Sequence, residues 1–331
     1  MSEVLKKRGV VRLYACGGLG LNIGAKFESR RGKVEAGFAG VEVSYIDTSR
    51  SNLSNDIPND HVYLLPDVDG SGKIRRENAD AITQRVREIL HSHKPLDMNI
   101  VVFSAGGGSG SVIGPSIISE LLARKEPVLA VTVGSASTGI DARNTLGTIK
   151  TLEAISKLRK SSVAVSYFRN NGEHGARTQV DHHVDAAIVA LLLLYSGLNE
   201  ELDSSDLFNW LNFDRATPFE PQLAALQLAE GQPDPADCRS IYSAATLAKK
   251  GASTDLMFRP EYHCYGFYPT EAQSTAKSEA LHFLIGGDTL DQEVRELNKI
   301  LGELDEQNQA RVNRGGFLTN ADQPTETGLV L

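Results

Sequence analysis

Cysteine is scarce in this sequence. Cys16, Cys238 and Cys264 are its three cysteines, and they stand far apart with no CxxC pair. A small disulfide scaffold needs an even set of cysteines and a structural zinc site needs closely spaced ligands, so the spacing argues against both. We expect a protein of the reducing cytoplasm.

Long apolar runs and an excess of positive charge are also missing. The most apolar stretch, residues 186–195, is too short to span a membrane, for which a helix needs about 18 apolar residues. The start, MSEVLKKRGVV, lacks the apolar core of a signal peptide. Lys and Arg number 34 against 42 Asp and Glu, a net charge of -8, which gives no electrostatic support for nucleic-acid or anionic-membrane binding. We expect neither among the partners.

Short apolar runs alternate with helical patterns through about the first 170 residues. Runs such as VVRLYA (10–15), VEVSYID (41–47), MNIVVFSA (98–105) and VLAVTVG (128–134) are rich in β-branched residues and mostly do not alternate with polar ones. This pattern is typical of strands that are covered on both faces. A strand followed by a helix, repeated several times, predicts an α/β fold with a doubly wound, mostly parallel sheet.

The remaining sequence predicts three further parts. The second half of QVDHHVDAAIVALLLLYSG is apolar on every side, which is typical of a helix buried all round. A weaker strand pattern follows, and DQEVRELNKILGELDEQNQARVNR has the pattern of a charged amphipathic helix. We expect a doubly wound domain over residues 1–175, a long central helix over 176–198, a smaller α+β domain over 199–288, and a C-terminal helix with an extended tail over 289–331.

A glycine-rich loop directly follows the apolar strand at 98–105. It comprises Gly106, Gly107, Gly108, Ser109, Gly110 and Ser111. Each glycine costs roughly 0.5 to 1 kcal/mol relative to alanine, which a plain connector has no reason to carry. Without side chains, consecutive backbone N–H groups can point at an anion, and the next helix adds its positive dipole end. The loop predicts a di- or triphosphate site, with Ser109 and Ser111 as additional hydroxyl donors.

An earlier turn, ACGGLGLNIGAKF, also leads from a strand into a helix. Its Gly18-x-Gly20-xxx-Gly24 spacing is close to a dinucleotide fingerprint, and Asp47 ends the next strand, where an acidic residue would reach a ribose. A plain tight turn has the same spacing. An NAD-dependent Rossmann oxidoreductase is therefore one alternative function, although it leaves the loop at 106–111 unexplained.

The polar loop DVDGSGKIRREN contains Gly70, Ser71, Gly72 and Lys73, which suggests a Walker A motif. That motif fails here because its first glycine position holds an aspartate and its final Ser or Thr position holds an isoleucine. The loop is better interpreted as a flexible polar segment that faces the same phosphate pocket.

Together the two glycine turns resemble the tubulin and FtsZ superfamily, whose signature loop is of the GGGTGSG type. Ser109 stands in the Thr position of that signature, and the string from Asn22 to Phe27 is similar to the start of the first helix in tubulins. The stretches AGGGSGSVIGP, TLGTIKTLEAI and DLFNWLNF resemble their counterparts in phage-encoded tubulins. The resemblance covers nearly the whole chain and is weakest between Pro218 and Lys250.

In that family the nucleotide is GTP, hydrolysed to GDP, with Mg²⁺ held through phosphates and water. The resemblance implies that residues 1–175 bind GTP and that 199–288 form the second, activation domain. By position it places Gly17, Gly18 and Gly20 at the phosphates, Asn22 and Asn170 at the base or ribose, Asp47, Thr48 and Ser49 near phosphates and magnesium, and Gly70, Ser71, Gly72 and Lys73 at the γ-phosphate.

Base and ribose recognition follow the family pattern only in part. Asp181 corresponds to the carboxylate that reads the N1 and N2 donors of guanine, although a carboxylate at a helix start is also stabilised by the helix dipole alone. Val180 stands where many relatives carry a base-contacting Asn. The loop at 133–144 lacks an obvious acidic residue for the ribose, so either Ser137 or Asp141 substitutes.

Asp203 and Asp206 follow the predicted central helix and precede another helix start. Taken alone, they suit an N-cap and a first-turn carboxylate. In the superfamily, two acidic residues at this place and spacing reach into the GTP pocket of the next subunit and position the attacking water. The resemblance implies that they are catalytic and that assembly completes the active site.

The resemblance thus implies a GTPase that assembles head to tail into dynamic filaments, since an interface whose rotation does not close generates filaments. We expect the tail from Gly315 to Leu331 to dock on a neighbouring subunit. By family likeness the filaments form a phage spindle that positions phage DNA, or its compartment, in the cytoplasm of the infected bacterium. A nucleotide-binding scaffold that does not hydrolyse is the remaining alternative.

Overall fold

The computed structural model describes residues 7–33, 35–54, 56–170, 177–234, 238–274 and 276–313. The predicted C-terminal tail lies outside these ranges. Within them, no helix combines the length and apolarity needed to cross a membrane. Cys16, Cys238 and Cys264 are all buried as free thiols.

Strands and helices alternate through the first half of the chain, as the sequence predicts. The strands are β1 (Val10–Cys16), β2 (Gly40–Asp47), β3 (Val62–Leu64), β4 (Met98–Ser104), β5 (Val128–Ser135), β6 (Val163–Asn170), β7 (Leu223–Glu230), β8 (Ile241–Ala248), β9 (Tyr262–Phe267) and β10 (Ala280–Gly286). The helices are α1 (Gly17–Glu28), α2 (Ala79–Ser92), α3 (Gly110–Ala123), α4 (Gly139–Arg159), α5 (Arg177–Leu194), α6 (Ser204–Leu211) and α7 (Asp288–Asn313).

All of these strands belong to one sheet in the order β3-β2-β1-β4-β5-β6-β7-β10-β8-β9. Neighbouring strands from β3 to β7 are parallel, whereas β10 runs antiparallel to both β7 and β8. The last four strands therefore extend the first sheet through a short β6–β7 pairing instead of forming a separate sheet. The domain boundaries at 175, 198 and 288 stay a prediction.

The central strands are buried on both faces. In β4, Ile100 and Val102 pack into one apolar cluster with α1 and α5, while Val101 and Phe103 pack into another with α2 and α3. Successive side chains of a strand point to opposite faces, so a strand covered on both sides is apolar throughout. This explains the unbroken apolar run at 100–103 and confirms the predicted doubly wound α/β fold.

Two strands were not predicted. β7 has the sequence LAALQLAE, and β8 has IYSAATLA. Ala, Leu, Gln and Glu favour helices by intrinsic propensity. Here β7 is held as a strand by its pairing with β6 on one side and β10 on the other, and that tertiary environment outweighs local preference. The predicted central helix is α5, and no residue from Ala187 to Leu194 is exposed.

Candidate functional site: a polar cavity at the carboxyl edge of the sheet

A cavity of about 850 Å³ lies where β1, β2, β4, β5 and β6 end. Open parallel sheets bind ligands at the carboxyl ends of their strands, and the loops at this edge supply most of the wall. Its lining is rich in glycine, hydroxyl and carboxylate groups. The volume falls within the range of about 300 to 1,000 Å³ that small-molecule sites occupy.

Two helices begin at this cavity with open N-termini. α1 starts at Gly17 and α3 starts at Gly110. Within the described chain, neither preceding side chain, Cys16 or Ser109, caps its helix, and neither first turn carries an acidic residue. The first N–H groups of both helices are therefore left for another acceptor, and both positive dipole ends face the same space. An anionic ligand is the natural partner.

The glycines at this edge allow backbone to lie against backbone. Gly17 has a φ of +68°, and a Cβ placed on it would lie 2.8 Å from the backbone N and Cα of Gly110. A Cβ on Gly108 would overlap the Ser71 hydroxyl. Side chains at these positions would push the loops apart, so the glycines are required by packing as well as by access to a ligand.

A row of hydroxyl groups crosses three loops of the cavity. The Thr48 and Ser109 hydroxyls are 2.6 Å apart, and Ser109 donates to the Ser71 hydroxyl at 3.2 Å. These loops follow β2, β3 and β4. Hydroxyl groups donate to phosphate oxygens and accept from water bound to a cation, so the row suits a phosphate with its metal ion.

Asp47, at the end of β2, is almost fully buried. It accepts the Thr48 backbone N–H at 2.7 Å and the Asn52 amide at 3.2 Å. Burial raises the pKa of Asp47, and these hydrogen bonds counteract part of that rise. The carboxylate therefore orders the loop after β2, and Asn52, which was not predicted from the sequence, is its partner.

The loop at 70–73 is fastened to α4. The Lys73 ammonium lies 2.8 Å from Asp141 Oδ1, and the Thr138 hydroxyl donates to Asp141 Oδ2 at 2.7 Å. The Asn144 amide donates to the backbone oxygens of Lys73 at 2.9 Å and Gly106 at 3.2 Å. One side chain thus ties this loop to the glycine loop at 106–111, which makes their positions interdependent.

Most of the predicted site residues meet at the cavity. Those that line it are Gly18, Asp47, Thr48, Ser49, Gly70, Ser71, Lys73, Gly106, Gly107, Gly108, Ser109, Gly110, Ser137, Asp141 and Asn170. Further lining residues, which were not predicted from the sequence, are Cys16, Leu19, Ser51, Asn52, Asp69, Ser104, Val133, Gly134 and Ser135. Several of these, such as Ser104 and Ser135, are the last residues of strands, so the carboxyl-edge rule could have found them.

Four predicted residues support the wall from behind or lie at its margin. Gly17 packs on Gly110, and a Cβ on Gly20 would lie 2.5 Å from the Val102 carbonyl oxygen. The Ser111 hydroxyl is buried and donates to the carbonyls of Gly107 at 2.7 Å and Gly108 at 2.9 Å, so it shapes the loop from within. Gly72 has a φ of +53°, which lets the loop turn.

Asn22 and Asp181 also lie outside the lining set. Asn22 is exposed on α1, and Asp181 is partly exposed on α5. The Lys26 ammonium bonds Asp185 Oδ2 at 2.7 Å, one helical turn further along each helix. Because α1 and α5 both begin at the carboxyl edge, Asn22 and Asp181 lie one turn nearer to that edge than this ion pair. Residues 171–176, which precede α5, lie outside the described ranges.

The predicted acidic pair forms a complete capping box on α6. Asp203 Oδ1 accepts the backbone N–H of Ser205 at 2.7 Å and of Asp206 at 2.9 Å, and Asp206 Oδ2 accepts the Asp203 N–H at 3.2 Å. The structural interpretation of the pair is therefore correct. One oxygen of each carboxylate is not used by the box, and that of Asp206, Oδ1, accepts the Tyr262 hydroxyl at 3.5 Å. The capping role by itself therefore does not exclude a further contact.

Asp203 lies at the opposite edge of the sheet from the polar cavity. It lines a second cavity of about 680 Å³ together with Gly9, Asp97 and Pro127, which come just before β1, β4 and β5. β1 has seven residues and so separates the two edges by about 20 Å. Asp203 and Asp206 cannot reach the polar cavity of their own chain.

No protein-family model matches this chain. Among curated proteins, a phage tubulin-like protein of Pseudomonas phage phiKZ is 30% identical over an alignment of 342 positions, which covers 96% of this chain and 97% of that protein. The chain belongs to the phage tubulin-like proteins. The tubulin and FtsZ resemblance found in the glycine loops is thereby confirmed, and membership argues against the NAD-dependent oxidoreductase.

Solved structures agree with this family. A protofilament structure of TubZ from bacteriophage PhiKZ is 30% identical to this phage tubulin-like chain and matches its fold with a TM-score of 0.82. The match covers 97% of this chain and 99% of the TubZ chain. The phage tubulin PhuZ, solved with GDP, shares 23% identity at a TM-score of 0.84 with the same coverage of both chains. The tubulin/FtsZ-like fold is confirmed over nearly the whole chain.

Proposed function

We propose that this phage tubulin-like chain is a GTPase that assembles head to tail, and that Asp203 and Asp206 of one copy complete the nucleotide site of the next. The proposal rests on the positions of the polar cavity and of the acidic pair at opposite edges of the sheet. The polar cavity opens at the carboxyl edge of the sheet and the acidic pair lies at the amino edge. Stacking copies edge to edge brings them together, and such a contact repeats without closing.

The polar cavity suits GTP or GDP. The open N-termini of α1 and α3 and the glycine loop at 106–111 would hold the phosphates. Lys73 and the hydroxyls of Thr48, Ser71 and Ser109 add donors at the same place. A Cβ on Gly108 would collide with Ser71, so glycine at this position lets the loop at 70–73 lie directly against the glycine loop at the edge of the cradle.

For the ribose, we propose Ser137 over Asp141. Both oxygens of Asp141 already have partners, Lys73 and Thr138, so its role is to hold the lysine. Ser137 is exposed at the cavity wall, and Asn170 ends β6 beside it in the lining. We propose Asp181 as the guanine-reading group, because a carboxylate can accept both the N1 and N2 donors of guanine and adenine does not offer that pair.

The site fits Mg²⁺ held through phosphates and water. The described residues contain no group of three or more His, Cys, Asp or Glu side chains able to hold a metal by themselves. When bound, the ion would neutralise charge on the β- and γ-phosphate oxygens. Thr48, Ser49 and Asp69 supply oxygen groups at the cavity that can bind water around such an ion.

Phosphoryl transfer depends mainly on positioning and charge stabilisation. In the proposed complex the chain itself holds the phosphates, and the carboxylates of the next copy orient the attacking water. An isolated subunit would then be nearly inactive, and hydrolysis would weaken the contact that made it possible. By likeness to the phage relatives, we propose that the filaments act as a spindle that positions phage DNA or its compartment in the host cytoplasm.

Light scattering at right angles after addition of GTP, GDP or ATP, followed by electron microscopy, tests the assembly. We expect filaments with GTP and none with ATP. Phosphate release per chain should rise with protein concentration, because each site needs two copies. Absence of filaments with GTP over a wide protein range would refute the polymer, and a rate per chain independent of concentration would refute the shared site.

A non-hydrolysing nucleotide-binding scaffold is the second candidate. The capping box favours it, since Asp203 and Asp206 already have a structural task that needs no catalysis. The same phosphate-release measurement separates the two functions: a scaffold would form filaments with GTP but release no phosphate above the background.

A further inference from the structure

A third cavity, of about 310 Å³, lies between α2, α3 and α4, behind the glycine loop. The nucleotide proposal does not use it. Its wall combines two arginines, Arg75 and Arg159, with a set of hydroxyl and apolar side chains. The hydroxyl groups on this wall belong to Thr83, Ser111, Ser116, Ser119 and Thr151.

Arg75 carries a charge into this cavity without a carboxylate partner. No ion pair of Arg75 with an acidic residue occurs in the described part of the chain. Its Nε is buried and lacks a hydrogen-bond partner within the same residues. Burial alone lowers the pKa of the Arg75 guanidinium. Arg75 as a whole is partly buried. Charges that are withdrawn from water are usually paired, so an unpaired one beside a cavity points to an anion that binds there.

The position of Arg75 is built into the fold. Its Nη2 donates to the Ser111 carbonyl oxygen at 3.3 Å and to the Thr151 hydroxyl at 3.2 Å. A Cβ on Gly147 would lie 2.5 Å from Arg75 Nη1, so α4 leaves space for the guanidinium. Contacts on two helices hold the group in place, and such preorganisation lowers the cost of binding a ligand.

The opposite part of the wall adds a second cation. Arg159 Nε donates to the Ser119 hydroxyl at 2.9 Å. The wall also includes Glu120, whose Oε1 lies 3.1 Å from Arg124 and 3.5 Å from Arg87, so two outer arginines offset its charge. The two inner arginines therefore leave this cavity with an uncompensated positive charge.

We propose that this cavity binds a phosphate group, either as inorganic phosphate or as the head of a small phosphate monoester. Guanidinium groups bind phosphate through paired, charge-assisted hydrogen bonds. The hydroxyls of Thr83, Ser111 and Thr151 already donate to backbone carbonyls. The Ser119 hydroxyl accepts from Arg159, so its own proton is left for a ligand beside the two guanidinium groups. The volume accommodates a phosphate with a few attached carbon atoms.

The site communicates with the nucleotide cavity through one residue. Arg75 holds the carbonyl of Ser111, and the Ser111 hydroxyl holds the carbonyls of Gly107 and Gly108 in the glycine loop. An anion that binds Arg75 therefore changes the hydrogen bonds that hold that loop in place. Linkage makes the effect reciprocal, so phosphate here and nucleotide in the polar cavity change each other's affinity by the same factor.

Calorimetric titration of the GDP-saturated full chain with inorganic phosphate and with glycerol 3-phosphate tests the site. We expect saturable binding of one phosphate group per chain with at least one of these probes. Arg75→Gln and Arg159→Gln should each weaken it about tenfold or more, and Arg76→Gln, an exposed neighbour with the same loss of charge, should leave it unchanged. If Arg75→Gln fails to fold, Arg159→Gln decides alone. Absence of saturable binding with both probes, or an equal loss in Arg76→Gln, overturns the proposal.

The coupling is measured as the GDP affinity with and without phosphate in wild type and Arg159→Gln. Phosphate that competes with GDP in the polar cavity lowers the GDP affinity of both proteins equally. The coupling is therefore the difference between the two proteins in the effect of phosphate on GDP affinity. If the two effects are equal, the coupling is refuted. This part rests on the proposed function. If GDP does not bind, the nucleotide proposal fails, while titration of the nucleotide-free chain and its Arg159→Gln variant still decides the phosphate site.

Discussion

Gly17 and Gly110 lie so close that a Cβ on Gly17 would stand 2.8 Å from the backbone of Gly110. The two residues begin α1 and α3, the two helices whose open N-termini face the polar cavity. Their contact sets the separation of these two positive dipole ends. The geometry of the proposed phosphate site therefore depends on a position where only glycine fits.

Gly17→Ala should disturb this contact and the left-handed backbone of Gly17 at the same time. We expect a loss of about 1 to 3 kcal/mol in the free energy of unfolding, from overpacking and strain. GDP affinity should fall at least tenfold. Gly302→Ala is the control, because Gly302 lies exposed in α7 with open space around it. It should stabilise the chain by about 0.5 to 1 kcal/mol. Equal GDP binding by Gly17→Ala and wild type would contradict the proposed site.

Asp206→Asn separates the cap from the proposed catalytic role. Asparagine keeps an oxygen that can accept the Asp203 N–H, so α6 should stay capped. We expect phosphate release to fall at least tenfold while filaments persist or live longer. Glu201→Gln, an exposed residue that removes the same charge from the same segment, is the control. Equal phosphate release by all three proteins removes the catalytic role from Asp206.

Asp181→Asn should change which nucleotide is bound. The amide of asparagine has one acceptor oxygen, whereas the carboxylate has two that can accept the N1 and N2 donors of guanine. The preference for GTP over ATP should therefore fall at least tenfold in competition binding. Asp185→Asn is the matched control. It lies one turn further along α5, where it pairs with Lys26. If Asp185→Asn changes the preference as much as Asp181→Asn does, Asp181 is not the guanine-reading group.

Asp141→Asn should weaken the hold on Lys73 without removing the lysine. The Lys73–Asp141 pair is charge-assisted, and its carboxylate side is buried. We expect a moderate loss of GTP affinity, about three- to tenfold, and a larger loss in Lys73→Met. Equilibrium binding of a fluorescent GTP analogue measures both. A larger effect from Asp141→Asn than from Lys73→Met would mean that Asp141 contacts the nucleotide directly.

His93 should make stability depend on pH. It is buried at the end of α2, and burial lowers its pKa from 6.5 to about 4. As the pH falls, His93 takes up a proton in the unfolded chain before it does so in the folded chain. The free energy of unfolding is therefore unaffected by protonation of His93 above about pH 6.5 and decreases as the pH falls towards about 4. At about 1.4 kcal/mol per pKa unit, the loss of stability between pH 6.5 and 4.5 approaches 3 kcal/mol. Urea unfolding of wild type and His93→Gln between pH 7 and 4.5 measures it, and equal slopes would contradict the shift.

The glycine turns, the alternating strands and helices and the acidic pair were readable from local sequence. Each depends on chemistry that short stretches carry by themselves: glycine at backbone approaches, β-branched residues in covered strands, and Asp203 with Asp206 at a helix start. The family and the doubly wound fold followed from these signals. Asp203 and Asp206 were recognisable both as a cap and as a proposed catalytic pair.

What only the tertiary structure decided concerns residues that meet across the sheet. β7 is a strand because β6 and β10 pair with it, although its residues favour a helix. Asp141 Oδ1 is occupied because Lys73, 68 positions earlier, reaches it. Arg75 comes to lie behind the glycine loop because α3 and α4 pack beside it. Local sequence does not encode such contacts, since each arises only when distant segments of the chain are brought together.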